Sequence, residues 1–319
     1  MTLTERIGAL SGVGEARETT YGTPVVPATA TPFLSCTLAP DPGLFSPEVI
    51  MELRELQVYD MYGQYKFAGA VGGPVMPTNG IPYLVNAIGS DSVSGTAAPY
   101  THDIQPTSYS SLTIEKILGG YQSEQYAGCR VNKYTLKSAA TDTPLEFTAD
   151  VIAQSAKVLD TPNPLTFVNE SPFVFAEGSI NWNGNQIGPV ITSIQVDIEN
   201  NLAQTWTHGG THDLEFLTPT ARHVSGTFDV VYYSLDDAVY GFYQEMFTGG
   251  TVSLQGIWQH PNGEGIAVNV NAAALSKLAD DIKINDVIVQ ALSFEGFYGL
   301  EYAAPSVSAM VTNNRSTAF

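Results

Sequence analysis

Positive charge is scarce in this sequence. Thirteen Lys and Arg stand against 32 Asp and Glu, a formal net charge of −19 over 319 residues. A protein that grips nucleic acid needs cations against phosphate, so that class is excluded. Acidity leaves open a protein past which DNA moves without sticking, and also a plain solubilising role. Charge of either sign is low as well, at 14%, where about 25% is usual. Surfaces so poor in charge suit burial against partners, because few ions must be desolvated. The two cysteines, Cys36 and Cys129, are too few for a disulfide framework or a zinc site. No apolar run approaches 18 residues, so no membrane-spanning helix is expected. The start, "MTLTERIGALSG", lacks the basic residues and apolar run of a signal peptide. Synthesis in a cytoplasm is therefore expected, with the sequons at Asn169 and Asn314 idle.

What is present is ample material for a core: 44% hydrophobic residues, in a length that suits two ordinary domains. The chain also echoes itself. "DVIAQS" (150–155) returns as "DVIVQA" (286–291), 136 residues on. "TPFL" (31–34) resembles "SPFV" (171–174), with Phe33 and Phe173 140 apart. "FAG" ending at Gly69 resembles "VSG" ending at Gly226, and Tyr83 precedes Tyr240 by the same 157 residues. The order is kept, so two copies are expected, at about 31–160 and 171–300, joined by a Pro-rich linker at 161–170. Outside them lie an N-terminal arm (1–30) and a C-terminal tail (301–319), both poor in large apolar residues. They read either as disorder or as segments that order by docking on a neighbour.

The copies read as β-rich. In "SIQVDIE", Ile194, Val196 and Ile198 alternate with Gln195, Asp197 and Glu199, the period of a half-buried strand. "SPEVIMELRELQVYD" (46–60) alternates less cleanly and also suits helix. One helix is expected per copy. The first is 78–89, with Asn79 as cap, Pro82 in its first turn and Gly89 as stop; the second is 235–247. "AALSKLA" (273–279) has helical propensity, but the repeat makes it strand, with Asp280-Asp281 near a turn.

A Gly-Glu segment, then "YGTPVVPATATPFL" (21–34), then a Pro-Phe strand and a β-domain with one helix, written twice and including "HVSGTFDVVYYSLDDAVYGFY" (223–243), resembles the duplicated-domain tail tube, or major tail, protein of long-tailed, non-contractile bacteriophages. The resemblance covers the whole chain through spacing and residue type, not a catalytic fingerprint. It implies a mainly β fold of two tandem β-sandwich tail-tube domains, each with one flanking helix, plus extended arms. It implies a structural virion protein, not an enzyme, with no cofactor, assembled in the host cytoplasm into the virion tail. Its partners would be itself, as trimeric pseudo-hexameric rings stacked into a tube, with tape-measure, tail terminator and baseplate proteins. DNA would pass through an acidic lumen without specific binding, and no membrane is involved. On this reading Glu52, Glu55, Asp197, Glu199 and Glu215 are candidate lumen acids, although each also suits an outer surface. Glu15, Tyr21, Gly22, Thr23 and Pro24 are a candidate inter-ring arm.

Other chemistry finds little footing. His208, His212 and Asp213 in "HGGTHD" have metal-like spacing, but two glycines between the histidines favour a turn. No phosphate loop and no nucleophile elbow occurs. The paired acids at 236–237 and 280–281 read as a helix start and a turn, and nothing marks them as a glycosidase pair. A two-domain carbohydrate- or host-surface-binding module is the alternative, with Trp206, Trp258 and Tyr232-Tyr233 as its aromatic face, although core packing explains them more simply.

Overall fold

In the computed structural model the described residues are 8–45, 61–187, 190–208, 211–231, 249–281, 289–299 and 304–319. The segment 46–60, the segment 235–247 and Tyr232-Tyr233 lie outside them. Strands dominate. In chain order they begin with β1 (Gly12–Arg17), β2 (Thr29–Ala30), β3 (Ser35–Cys36), β4 (Ala39–Asp41), β5 (Leu44–Phe45), β6 (Met61–Tyr62) and β7 (Lys66–Pro74). The helix α1 (Ile81–Ile88) follows, then β8 (Ser90–Ser94), β9 (Tyr100–Gln105), β10 (Leu112–Leu118), β11 (Gln122–Ala139), β12 (Glu146–Ala153), β13 (Ser155–Leu159) and β14 (Thr166–Phe167). The rest are β15 (Gly178–Trp182), β16 (Asn185–Gln186), β17 (Ile191–Glu199), β18 (Ala203–Thr205), β19 (Phe216–Thr218), β20 (His223–Val231), β21 (Val252–Gln259), β22 (Gly265–Asp281), β23 (Val289–Gly296) and β24 (Val307–Asn313).

One sheet runs β3/β4–β7–β12–β11–β17–β20–β23–β22. Alternation explains its two faces. Phe147, Ala149 and Val151 of β12, Tyr134 and Leu136 of β11, Ile194, Val196 and Ile198 of β17 and Phe228 of β20 all point into the core. The second layer is in two parts: β2–β1–β10–β11–β13, and β15–β21–β22–β24–β9–β8. The long strands β11 and β22 serve both layers, and each is bent by a bulge where it passes from one to the other.

The two sets of strands share pairing order and register. Ser35 pairs with Gly72 and Asp41 with Lys66; Ser193 pairs with Asp229 and Glu199 with His223. The offsets are constant: 193−35 and 199−41 give 158, and 229−72 and 223−66 give 157. Ladder irregularities fall at 131/133 in β11 and 275/277 in β22, both 144 apart, and at 112/114 and 252/254 in the strands before them. Gly69 and Gly226, noted as an echo, hold matching positions in their ladders. A Cβ on Gly69 would meet the Leu38 backbone, and one on Gly226 would meet the Gln195 carbonyl and the Phe294 ring. Gly69→Ala and Gly226→Ala are each expected to lose about 1–3 kcal/mol in urea melts, whereas Gly250→Ala, which meets nothing within 4 Å and has no left-handed backbone to strain, should lose less than either.

The same register corrects two other echoes. Gly69 faces Val151 and Gly226 faces Phe294, partners 294−151 = 143 apart. The hexamers, 136 apart, are thus seven residues out of structural step. "TPFL" follows β1, whereas "SPFV" precedes β15, so these do not correspond either. The arms differ most from expectation. β1 pairs along its whole length with β10, and β24 lies between β22 and β9, with Val13, Val307 and Val311 fully buried. Both segments carry core strands in place of free ends. "AALSKLA" lies within β22, as the repeat required. α1 is capped one residue later than expected, by Gly80, because Asn79 turns its amide onto the Pro32 and Pro74 carbonyls. Gly89 stops it as expected. Arg222 and Asn200, from the second set, donate to the carbonyls of its last turn, where the helix dipole favours a cation.

Candidate functional surface

The outer face of the long sheet is polar and made of short side chains. β12 contributes Glu146, Thr148 and Asp150; β11 contributes Lys133, Thr135 and Lys137. β17 contributes Ser193, Gln195, Asp197 and Glu199; β20 contributes His223, Ser225, Thr227 and Asp229; β23 contributes Ser293 and Glu295. Lys277 of β22 lies opposite Ser293. With Asp41 of β4 and Lys66 of β7, carboxylates outnumber ammonium groups seven to four among the described residues of this face. The face carries hydroxyls and spread charge, and among the described residues its larger apolar side chains, Ile152, Val231 and Val289, are only partly exposed.

Its centre is the seam where the first set meets the second. There β11 and β17 pair antiparallel from Lys133↔Glu199 to Ala139↔Ser193. Lys133 Nζ lies 2.9 Å from Glu199 Oε1 and 3.7 Å from Asp197 Oδ1. Asp197 also accepts from Thr135 Oγ1 at 2.6 Å and Gln195 Nε2 at 2.9 Å. The hydrogen bond to Glu199 holds the Lys133 ammonium above its ordinary pKa, with Asp197 adding to it. Lys133 therefore stays charged and clamps the two sets.

Asp197 and Glu199 thus share this face. Glu215 does not: it precedes β19 in a separate two-stranded ladder with β18. Glu52 and Glu55 lie outside the described residues. Sequence reading passed over Glu146, Asp150, Asp229 and Glu295. The signal was there in "EFTADV", whose acids alternate with Phe147, Ala149 and Val151 as Asp197 alternates with its neighbours.

The candidate arm residues pack on the chain's own first set. Glu15 is in β1. Tyr21 stacks under the Arg130 guanidinium, 4.7 Å from its ring centre. Gly22 takes the left-handed conformation (φ +73) that the turn before Thr23 and Pro24 demands. The turn is tied down by Glu18, whose buried carboxylate accepts from Gly22 N, Ser111 Oγ, Thr113 Oγ1 and Gly128 N at 2.6–2.9 Å. Buried Glu115 does the same for the linker, accepting from the Asn163 backbone and side chain and from Ser123. Glu170 accepts from the Thr78 backbone and hydroxyl. Segments short of apolar residues are thus held by the buried carboxylates of Glu18 and Glu115 and the half-buried one of Glu170.

A cavity of about 300 Å³ opens where these segments converge, lined by Glu15, Arg17, Thr78, Asn79, Glu170 and Arg315 among others. Glu15 Oε2 is out of solvent with no hydrogen-bond partner. Burial pushes the Glu15 pKa up to about 8, against the opposing pull of Arg315.

The residues considered for other chemistry do not come together. His212 is pinned by tertiary contacts, its Nδ1 on the Gly63 carbonyl and its ring stacked on Tyr65. Among the described residues no group of three or more His, Cys, Asp or Glu could hold a metal. Trp258 is a core residue, 2% exposed. No helix among the described residues is long and apolar enough to cross a membrane. A family model described as phage tail tube protein matches residues 8–296. No curated protein matches the chain.

Proposed function

Since the chain belongs to the phage tail tube protein family, a structural family of the virion tail, we propose that it polymerises into stacked rings of three chains whose lumen conducts DNA. The observation that carries this reading is the seam between β11 and β17. One set of four strands there meets the next edge to edge, and the same kind of join made between chains would extend the sheet into a closed barrel. The shared register supports two domains per chain, about 12–159 and 178–313, and three chains would then give a pseudo-hexamer. With eight strands per chain the wall has 3 × 8 = 24. At about 4.8 Å per strand and a tilt of up to about 40°, the backbone diameter is roughly 40–50 Å, leaving room for a DNA duplex.

The polar face lines the lumen on this reading. Asp197 and Glu199 belong to it with Glu146, Asp150, Asp229 and Glu295, and Glu215 sits off the wall. Excess carboxylate repels phosphate over roughly 10 Å at physiological salt, and the interspersed lysines keep the wall from swelling by self-repulsion. The segment from Glu15 through the turn at Tyr21 and Gly22, tied down by Glu18 and with exposed Thr23 and Pro24 at its tip, serves as the contact between rings. Tape-measure, terminator and baseplate proteins would meet the tube at its core and ends, after assembly in the host cytoplasm. Sedimentation velocity across protein concentrations tests the polymerisation. Large polymers in mass action with 34.2 kDa chains are expected, and a single slow species at every concentration and salt would contradict it.

A further inference from the structure

Among the described residues the sheet has two edges with no strand beyond them, and on one of these the Leu38 carbonyl also accepts from Lys116 Nζ and Tyr126 Oη. Among the described residues, the outer side of β3–β4 faces no strand, and from Ala274 to Asp281 β22 has β23 on one side and none on the other. Asp41 and Lys277 on these edges are exposed. Open edges of this length invite another chain.

The internal seam dictates how they would meet. β17 occupies in the second set the place of β3–β4 in the first, with Glu199 equivalent to Asp41, since both pair at the end of their ladder, with His223 and Lys66. β22 occupies the place of β11, with Lys277 equivalent to Lys133. Both follow the bulge directly, and their partners Ser293 and Asp150 are themselves equivalent. The internal join sets Lys133 opposite Glu199 with an ion pair of 2.9 Å. We infer that the join between chains sets Lys277 of one copy opposite Asp41 of a second copy, with the Ala279 backbone against Ala39 and the Asp281 backbone against Thr37. The substitutions keep the sense of the pair: lysine stays lysine, and glutamate becomes aspartate. This inference rests on the tube reading and adds its register.

Antiparallel partners lie about 4.5–5.5 Å apart at Cα, within reach of a disulfide. Asp41→Cys with Lys277→Cys, in a Cys36→Ser background, is therefore oxidised after assembly and run on a denaturing gel. Covalent species of two and three chains, with no longer ladder, are expected, and neither single cysteine variant should give them. In one isolated chain the two positions stand at opposite edges of an eight-strand sheet, so a disulfide formed within the monomer overturns the inference. Tubes that form without the cross-link overturn the register and leave the tube reading standing. A wild-type chain that never polymerises overturns both. A second pair of variants reads the charges. Lys277→Glu and Asp41→Lys each place like charges across the join and should raise the concentration needed for assembly about fivefold; the double reversal should restore it. Singles without effect, or a double worse than either, would count against the pairing. Both positions are exposed, and an unchanged melting temperature of the unassembled chain checks that the fold survives.

Discussion

Glu18→Ala is expected to cost about 3–5 kcal/mol of folding stability. Glu18 is 5% exposed, and its two oxygens collect four donors from three places in the chain: the turn at Gly22, the start of β10 at Ser111 and Thr113, and Gly128 in β11. Truncation leaves those donors buried with nothing to accept them, and each unmet donor costs about 1–3 kcal/mol before relaxation. Glu18→Gln should fall between, since the amide keeps the shape and one acceptor but turns a donor toward donors. The measurement is the urea midpoint of the unassembled chain. A loss below about 1 kcal/mol would mean that the carboxylate is not what fixes the N-terminal segment to the sheet.

Glu15 supplies a pH dependence of opposite origin. Its folded pKa of about 8 stands above its ordinary 4.5 because burial disfavours the carboxylate. Between those two values the folded state holds a proton that the unfolded state has released. Stability is therefore full below pH 4.5, falls as pH rises and levels off above pH 8. The fall from pH 5 to pH 8 is expected to be about 2–4 kcal/mol. Glu15→Gln keeps the volume, stays neutral at every pH and should flatten that slope, gaining most at pH 8. Thermal melts at pH 5, 6.5 and 8 read both proteins. Parallel pH profiles for wild type and Glu15→Gln would show that Glu15 is ionised and solvated at neutral pH.

How much could be read beforehand depended on the kind of residue. Ile194, Val196 and Ile198 announced β17 because alternation is written in the sequence itself. The strand at 273–279 had to be taken from the repeat against its local propensity. The arms misled because β1, "GVGEAR", and β24, "VSAMVTN", are short and rich in small residues. What folds them is not a hydrophobic stripe but partners distant in sequence: Glu18 with Ser111 and Thr113, and β24 with both β9 and β22. No local pattern carries that. The echoes failed for a related reason. Two hexamers can share letters while sitting seven residues apart along matching strands, whereas Gly69 and Gly226 match because at each a neighbouring strand's backbone stands where a Cβ would lie. The polar face was half legible. Asp197 and Glu199 were found by alternation, but Lys133, which clamps them, became visible only once β11 lay beside β17.

On the tube reading this chain continues its own sheet into the next copy. Cryo-electron microscopy of the purified full chain at high concentration tests it most directly. End views are expected to show a hollow ring of six similar lobes from three chains, with the long sheet as its inner wall and Asp197 and Glu199 facing the lumen. Polymers whose inner wall is built by the other layer, or chains that stay single at every concentration and salt, would contradict it.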